Sequence, residues 1–275
     1  MGEIVFAAAA SHAPGITGDP EHADPEQASR FYAGMERLHQ AFEAAQPDVV
    51  VAISNDHLYN FYLDNTPTIA IGVGESHFGP FEPESWLRIP QRTLPGHPEL
   101  AKAMLREAVN SGFDLAFSEE LSLGHAEMVP LHFITPGWNV PVVPIMVNDF
   151  VQPMPSPRRI YQLGQLIRRF VGSRPKGERV ALLGTGGLSH WVGLPEQGRV
   201  NPELDVEFLE TAAQGRCESL AEWTNEEFSR GGNGMHELRN WLGVAGAVQE
   251  RKAEVTTYEP MVPWITGCGA LIWQL

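Results

Sequence analysis

Short, almost uninterrupted apolar runs alternate with longer amphipathic stretches along this chain. IVFAAAA at 4–10, VVVAIS ending at Ser54, PVVPIMVN at 141–148 and the apolar part of RVALLGTGG at 179–187 are short and bounded by turn residues. Runs of that kind read as strands buried on both faces. Ala28, Phe31, Met35, Leu38 and Phe42 recur at three- and four-residue steps behind an Asp24-Pro25 start, and Pro47-Asp48 closes that helix. A second helix is expected over 98–110, with Gly112 as its stop. Ser156-Pro157 opens a third, in which Ile160, Leu163, Ile167 and Phe170 share one face. Further helices are expected over 202–216 and 236–249, and a last strand near 269–274.

Apolar strands alternating with amphipathic helices imply an α/β fold, with a mostly parallel sheet covered on both faces. No internal repeat, low-complexity linker or break in composition divides the chain, so residues 1–275 read as one domain. Composition adds exclusions. Hydrophobic residues make up 43%, enough for a sizeable core, and the formal net charge of −15 repels polyanions. Nucleic acid and anionic membrane are therefore not expected as partners. Cys217 and Cys268 stand far apart in no metal-like spacing, which points to a reducing, cytoplasmic setting. AAAASHA has the look of a signal-peptidase site, yet Glu3 is the only charge before it and no basic region precedes it, so a first strand is expected there. The uncharged stretch 131–147 carries Pro136, Pro141 and Pro144 and would make a poor membrane helix.

The candidate chemistry lies where the strands end. The first strand runs into Ser11-His12, the second into Asn55-Asp56-His57, and the strand in RVALLGTGG into Ser189-His190. Open α/β sheets bind ligands at the carboxyl ends of their strands, so the three histidines are expected to share one cleft, as a metal site or an acid–base centre. In GGNGMHELRNWLGVAGA (231–247) a glycine-rich turn leads through Met235-His236-Glu237 into a helix, which would hold Glu237 rigidly. Two imidazoles and one carboxylate form the facial triad of non-haem Fe(II) oxygenases, which leaves three coordination positions open. Catalytic zinc uses the same ligand types. Taken singly, each histidine also reads as a hydrogen-bonded structural residue and Glu237 as a favourable charge at a helix N-terminus. The spacing matches no short metal signature, so the residues alone leave the metal open.

SHAPG, the strand leading to NDH, GTGGLSH and HELRNW occur in that order, and together they resemble the class III extradiol ring-cleaving dioxygenases, the superfamily of the protocatechuate 4,5-dioxygenase catalytic (β) subunit. The resemblance runs from His12 to Glu237 and beyond. It implies a single-domain α/β/α sandwich with a mixed sheet, and an Fe(II) enzyme that inserts both atoms of O2 to open a catechol-like ring. By it, His12, His57 and Glu237 are the iron ligands, His190 the acid–base histidine, and His125 in GHAEMVPL a second active-site histidine. It further implies a homo-oligomer. Some members need a small helical partner, and nothing in these residues resembles that segment, so a separate small subunit is one possibility and independence from it the other.

Several subsidiary expectations follow from adjacency alone. Ser189, Asn55 and Asp56 are candidates to orient the neighbouring histidines, and His236 competes with Glu237 for any role. Trp191, Phe78, Phe81 and Trp264 are candidates for pocket wall or core, and His125 and His132 for loop or packed positions. Arg88, Arg92 and Arg239 are the candidates to receive a substrate carboxylate. His22, His39, His77 and His97 are expected to have no role. The other readings are a zinc enzyme on the same scaffold and a metal-free binding or signalling relative; GTGG and GVGES complete no nucleotide-binding pattern.

Overall fold

The computed structural model describes residues 1–275. Ten strands form: β1 (Glu3–Ala10), β2 (Val49–Ser54), β3 (Ile69–Gly72), β4 (Ser76–Gly79), β5 (Arg92–Pro95), β6 (Ala116–Ser118), β7 (Val142–Val147), β8 (Arg179–Thr185), β9 (Ala253–Met261) and β10 (Thr266–Trp273). Eight of them make one sheet in the order β6-β3-β7-β2-β8-β1-β10-β9, and β4 and β5 pair separately. The alanines of β1 explain why the sheet is buried on both sides. Ala7 and Ala9 enter one apolar layer of 46 buried residues, while Phe6, Ala8 and Ala10 enter the opposite layer of 31. Side chains alternate across a strand, so small residues in succession let helices close on both faces.

The first layer is filled by the helices Pro98–Asn110, Pro157–Ser173, Pro202–Ala213 and Leu238–Val248. On the other face, Phe31, Met35, Leu38 and Phe42 of the Pro25–Ala45 helix pack beside Met128, Val129 and Leu131 of the His125–Ile134 helix. The expected start signals operate as read. Asp24 accepts hydrogen bonds from the Glu26 and Gln27 amides at 3.0 Å each, and Ser156 accepts one from Arg159 at 3.2 Å. His97, to which no role was assigned, caps the next helix by accepting from the Leu100 amide at 3.3 Å.

The centre of the sheet is parallel: β7, β2, β8 and β1 lie side by side in the same direction. The outer strands differ, since β10 is antiparallel to β1, β9 to β10, and β3 to β7. The architecture is thus an α/β sandwich around a mixed sheet, as the family resemblance implied and less parallel than the patterning alone suggested. Strand β9 escapes the apolar-run rule because it is an edge strand with Thr256, Thr257 and Glu259 among its residues, so only alternate positions are buried. Strands β3 and β6 are only four and three residues long, too short to carry a period. No helix is long and apolar enough to cross a membrane.

Helix Leu238–Val248, which follows the GGNG turn, packs on Pro157–Ser173 at contact distance. A Cβ on Gly246 would stand 1.9 Å from the Tyr161 carbonyl oxygen. The prediction is that Gly246→Leu destabilises the fold by about 1–3 kcal/mol or more through overpacking, read as a lowered thermal midpoint with the parent protein as reference.

Candidate active site

Because β1, β8 and β2 are adjacent and parallel, their carboxyl ends leave the sheet along one edge. His12, His57 and His190 follow those ends and meet there, beside His125 and Glu237, in a cleft of about 480 Å³. Glu237 arrives from a different direction, at the last position of the 3₁₀ turn Gly234–Glu237 that leads into helix Leu238–Val248. Its Oε2 lies 3.1 Å from His12 Nε2 and 3.8 Å from His190 Nε2, and its Oε1 lies 3.3 Å from His57 Nε2. The Gly187 amide donates to Oε2 at 2.8 Å. His125 stacks on His57 with ring centroids 4.2 Å apart and meets His12 edge-on at 5.4 Å.

Contacts on the far side of each ring fix which nitrogen faces the cleft. His190 Nδ1 lies 3.0 Å from the Leu188 carbonyl, which only accepts, so that nitrogen carries a proton and the neutral ring presents its Nε2 lone pair inward. His12 Nδ1 is 3.2 Å from Thr185 Oγ1, which leaves Nε2 toward Glu237. His125 Nδ1 donates to Glu82 Oε1 at 2.5 Å, and the same oxygen accepts from the His125 amide at 2.9 Å and the Tyr59 hydroxyl at 2.7 Å. Burial raises the Glu82 carboxyl, but those bonds outweigh it and hold it at about 2. Burial, helped by His57, pushes His125 down to about 3, against the pull of Glu82. The pair is a neutral imidazole held by a carboxylate.

Electrostatics around Glu237 are reciprocal. Burial raises its carboxyl, yet the surrounding imidazoles, His12 first, hold it well below the ordinary range. Burial lowers His12 despite Glu237, whereas for His57 the Glu237 hydrogen bond and charge overcome burial and raise it. A buried carboxylate facing three imidazole nitrogens is a donor set for a cation. Ligand atoms each about 2.1 Å from one ion stand roughly 3 Å apart or slightly more; the 3.1 and 3.3 Å separations from Glu237 to His12 and His57 fit that spacing. His12, His57 and His125 form a second possible set, with ligand atoms all within 4.8 Å of one another.

Local backbone accounts for the placement. His57 and Leu58 both adopt left-handed conformations, φ 48° and 63°, at a cost of order 1–3 kcal/mol each. The turn is pinned by Asp56, which accepts from the Asn60 and Phe61 amides at 3.0 and 2.8 Å. The glycine-rich turn proves to approach His190: a Cβ on Gly234 would stand 2.0 Å from its Nε2. Around it the His190 amide donates to the Gly231 carbonyl at 2.8 Å, and Gly234 donates back to the His190 carbonyl at 3.1 Å.

The subsidiary expectations divide. Asn55 does reach the site, with Nδ2 3.0 Å from His57 Nε2 and 3.3 Å from Glu237 Oε1. Asp56 orders the loop, and Ser189 bonds Asp205 at 2.8 Å and not an imidazole. His236 faces away, with Nδ1 2.7 Å from Arg239 and Nε2 3.0 Å from Ser229. His125 opens a helix, so the loop placement is corrected: Gly124 precedes it and Glu127 caps back onto the Gly124 amide at 3.1 Å. Trp191, Phe78, Phe81 and Trp264 do not line the cleft; Trp86 and Phe150 do. Asp149 also lines it, two positions past the end of β7, and was missed. The strand-end rule that marked the three histidines would have found it in PVVPIMVND. Glu82 carried no signal, because only the fold brings the segment after β4 against His125.

An α/β sandwich with imidazoles and a carboxylate gathered at the ends of parallel strands has its candidate site where such sheets bind ligands, in a form that could hold a metal ion. Comparison with known proteins makes this specific. The family described as the catalytic LigB subunit of aromatic ring-opening dioxygenase matches residues 6–269, and the chain belongs to that family of ring-cleaving dioxygenases, within the class III extradiol superfamily. It is 30% identical to a 2,3-dihydroxyphenylpropionate/2,3-dihydroxicinnamic acid 1,2-dioxygenase of Klebsiella pneumoniae (strain 342), over 95% of this chain and 96% of the relative. An Escherichia coli (strain 55989 / EAEC) protein of the same description is also 30% identical, over 83% of this chain and 86% of its own length. The crystal structure of an uncharacterized protein from Escherichia coli K12 aligns with a TM-score of 0.59 over 98% of this chain and 99% of that one, at 12% identity, which is a likeness of fold.

Glu127 supplies a pH-dependent test of the site's support. It is fully buried, its hydrogen bonds come from Ser54 Oγ and the Gly124 amide, and burial pushes it from an ordinary 4.5 up to about 8. The folded state thus keeps a proton that the unfolded chain releases above about 4.5, so this group's contribution falls as pH rises through the window to about 8. Glu127→Gln, neutral at every pH, is expected to gain stability relative to the parent between pH 5 and 8, measured by urea denaturation at both ends of that range.

Proposed function

We propose that this protein is a non-haem Fe(II)-dependent extradiol dioxygenase that opens a catechol-like ring, with His12, His57 and Glu237 as the iron ligands, His190 as the proton-handling residue and His125 as a substrate-contacting one. The observation that carries the reading is the buried Glu237 carboxylate, facing His12, His57 and His190 at 3.1, 3.3 and 3.8 Å. The relatives are named for dihydroxylated phenyl acids, which supports a ring with two adjacent oxygens. Fe(II) bound by this set would supply the open positions for substrate and dioxygen, and the electron transfer that a closed-shell ring and O2 lack between them.

The chain's own residues then divide the remaining work. With Nδ1–H committed to the Leu188 carbonyl, Nε2 is the His190 nitrogen that exchanges protons with a substrate. That nitrogen takes the proton from a substrate hydroxyl as it binds and returns it when the O–O bond breaks, a role typically worth on the order of 10²–10⁴ in rate. His125, anchored by Glu82, turns its Nε2 toward the same space and orients a substrate oxygen. Asn55 Nδ2 donates to Glu237 Oε1 and so holds that carboxylate in register. Both cysteines are free and buried, which supports a cytoplasmic enzyme. The reading includes a homo-oligomer, after the family tendency.

Metal analysis separates the two possible ligand sets. His57→Ala and Glu237→Ala are expected to purify without iron, whereas His125→Ala keeps it; iron retained by Glu237→Ala and lost from His125→Ala would replace the carboxylate set with the three-imidazole one. His190→Ala is expected to keep its iron and lose turnover by roughly 10²-fold or more, followed as oxygen uptake on catechols. Full activity in that variant removes His190 from the reaction, and zinc in place of iron in the purified protein moves the chemistry to hydrolysis.

A further inference from the structure

The cleft's charge inventory bears on what substituents a substrate can carry. None of the chain's 19 lysines and arginines lines it; the acidic residues lining it are Glu237 and Asp149. The arginines considered for a carboxylate are all committed elsewhere. Arg88 forms a two-point pair with Glu21 at 2.8 and 2.5 Å, Arg92 lies over the Trp138 ring at 4.5 Å, and Arg239 is fully buried, bonded to the Pro155 carbonyl at 3.0 Å. The other side-chain donors facing the cleft are neutral and partly engaged. Asn55 Nδ2 holds His57 and Glu237, Asn233 Nδ2 donates to the Val192 carbonyl at 2.9 Å, and Thr266 donates to the Trp264 carbonyl at 3.1 Å. The buried polar atoms left without partners on cleft residues are Asn55 Oδ1, Asp149 Oδ1 and His57 Nδ1, none of them a lysine or arginine nitrogen. The apolar part of the wall is Leu58 and Ile265, with Trp86, Phe150 and Val192 about half exposed.

We infer that the substrate is an uncharged catechol-like ring with an apolar substituent and no carboxylate, unlike the dihydroxyphenyl acids for which the relatives are named. The inference rests on the ring-cleaving reading above. Fe(II) with one carboxylate ligand leaves a single net positive charge, which a singly ionised catechol consumes. A second anion would then enter a cleft with no lysine or arginine to meet it, so its charge would stay unpaired.

The test uses the full chain loaded with Fe(II) and a matched pair of ligands, 3-propylcatechol and 2,3-dihydroxyphenylpropionate, which differ only in a terminal methyl against a carboxylate. Two readouts are taken: oxygen uptake in air, and binding by calorimetry under anaerobic conditions. The expected result is a kcat/KM roughly 10²-fold higher for 3-propylcatechol, expressed through KM, with a parallel difference in Kd. Val192→Arg, which places a cation at the rim, is expected to narrow that ratio by about tenfold. Equal or tighter use of the acid overturns the inference and leaves ring cleavage intact. Turnover of neither ligand, with 3-propylcatechol still bound more tightly, overturns the ring-cleaving reading and keeps the inference. Binding of neither overturns both.

Discussion

Glu237 meets His12 and His57 through its two different oxygens, with His190 beside the one that meets His12, and almost all of this constellation is withdrawn from solvent. A carboxylate in that position is unfavourable unless cationic or hydrogen-bonding groups surround it. The fold supplies them from three separate segments, the ends of β1, β2 and β8, and brings the carboxylate itself on the turn before helix Leu238–Val248. The rigidity of that helix, packed on Pro157–Ser173 with glycine at the crossing, is what keeps the charge where the histidines can meet it.

The imidazoles share a common construction. Each of His12, His125 and His190 has its Nδ1 tied to a group outside the cleft, namely Thr185, Glu82 and the Leu188 carbonyl. Their inward nitrogens are thereby set before any ligand arrives, which is the preorganisation that metal binding and proton transfer both require. His57 differs. Its Nδ1 is buried without a partner, its backbone is left-handed, and it is 24% exposed, the most open of the four. Its position is held by Asn55 and by the Asp56 loop, so it depends on tertiary contacts more than the others.

Around this centre the chain invests in apolar surface. Trp86, Phe150 and Val192 rim the cleft at 49%, 47% and 50% exposure, while Arg88, Arg92 and Arg239 serve helix, stacking and core roles outside it. The scaffold thus presents imidazoles and a carboxylate at the floor of the cleft and apolar side chains at its rim, consistent with function residing in sites grafted on a fold.

The sequence by itself determined the strand and helix periods, the caps at Asp24 and Ser156, and the residue types at the strand ends, because all of these depend on neighbours a few positions apart. It also supplied the ordered motifs from SHAPG to HELRNW by which the family resemblance was read. Edge strand β9, the short β3 and β6, and the helix opening at His125 were not legible, since their burial is one-sided or their length too small to carry a period. Only the tertiary structure decided that β2, β8 and β1 are neighbours, and so that His12, His57 and His190 share one edge. It alone brought Glu82 against His125, turned His236 away, and kept every arginine out of the cleft. Those are contacts across 43 to more than 170 positions of chain, or choices between adjacent side chains, and local propensity carries no information about either.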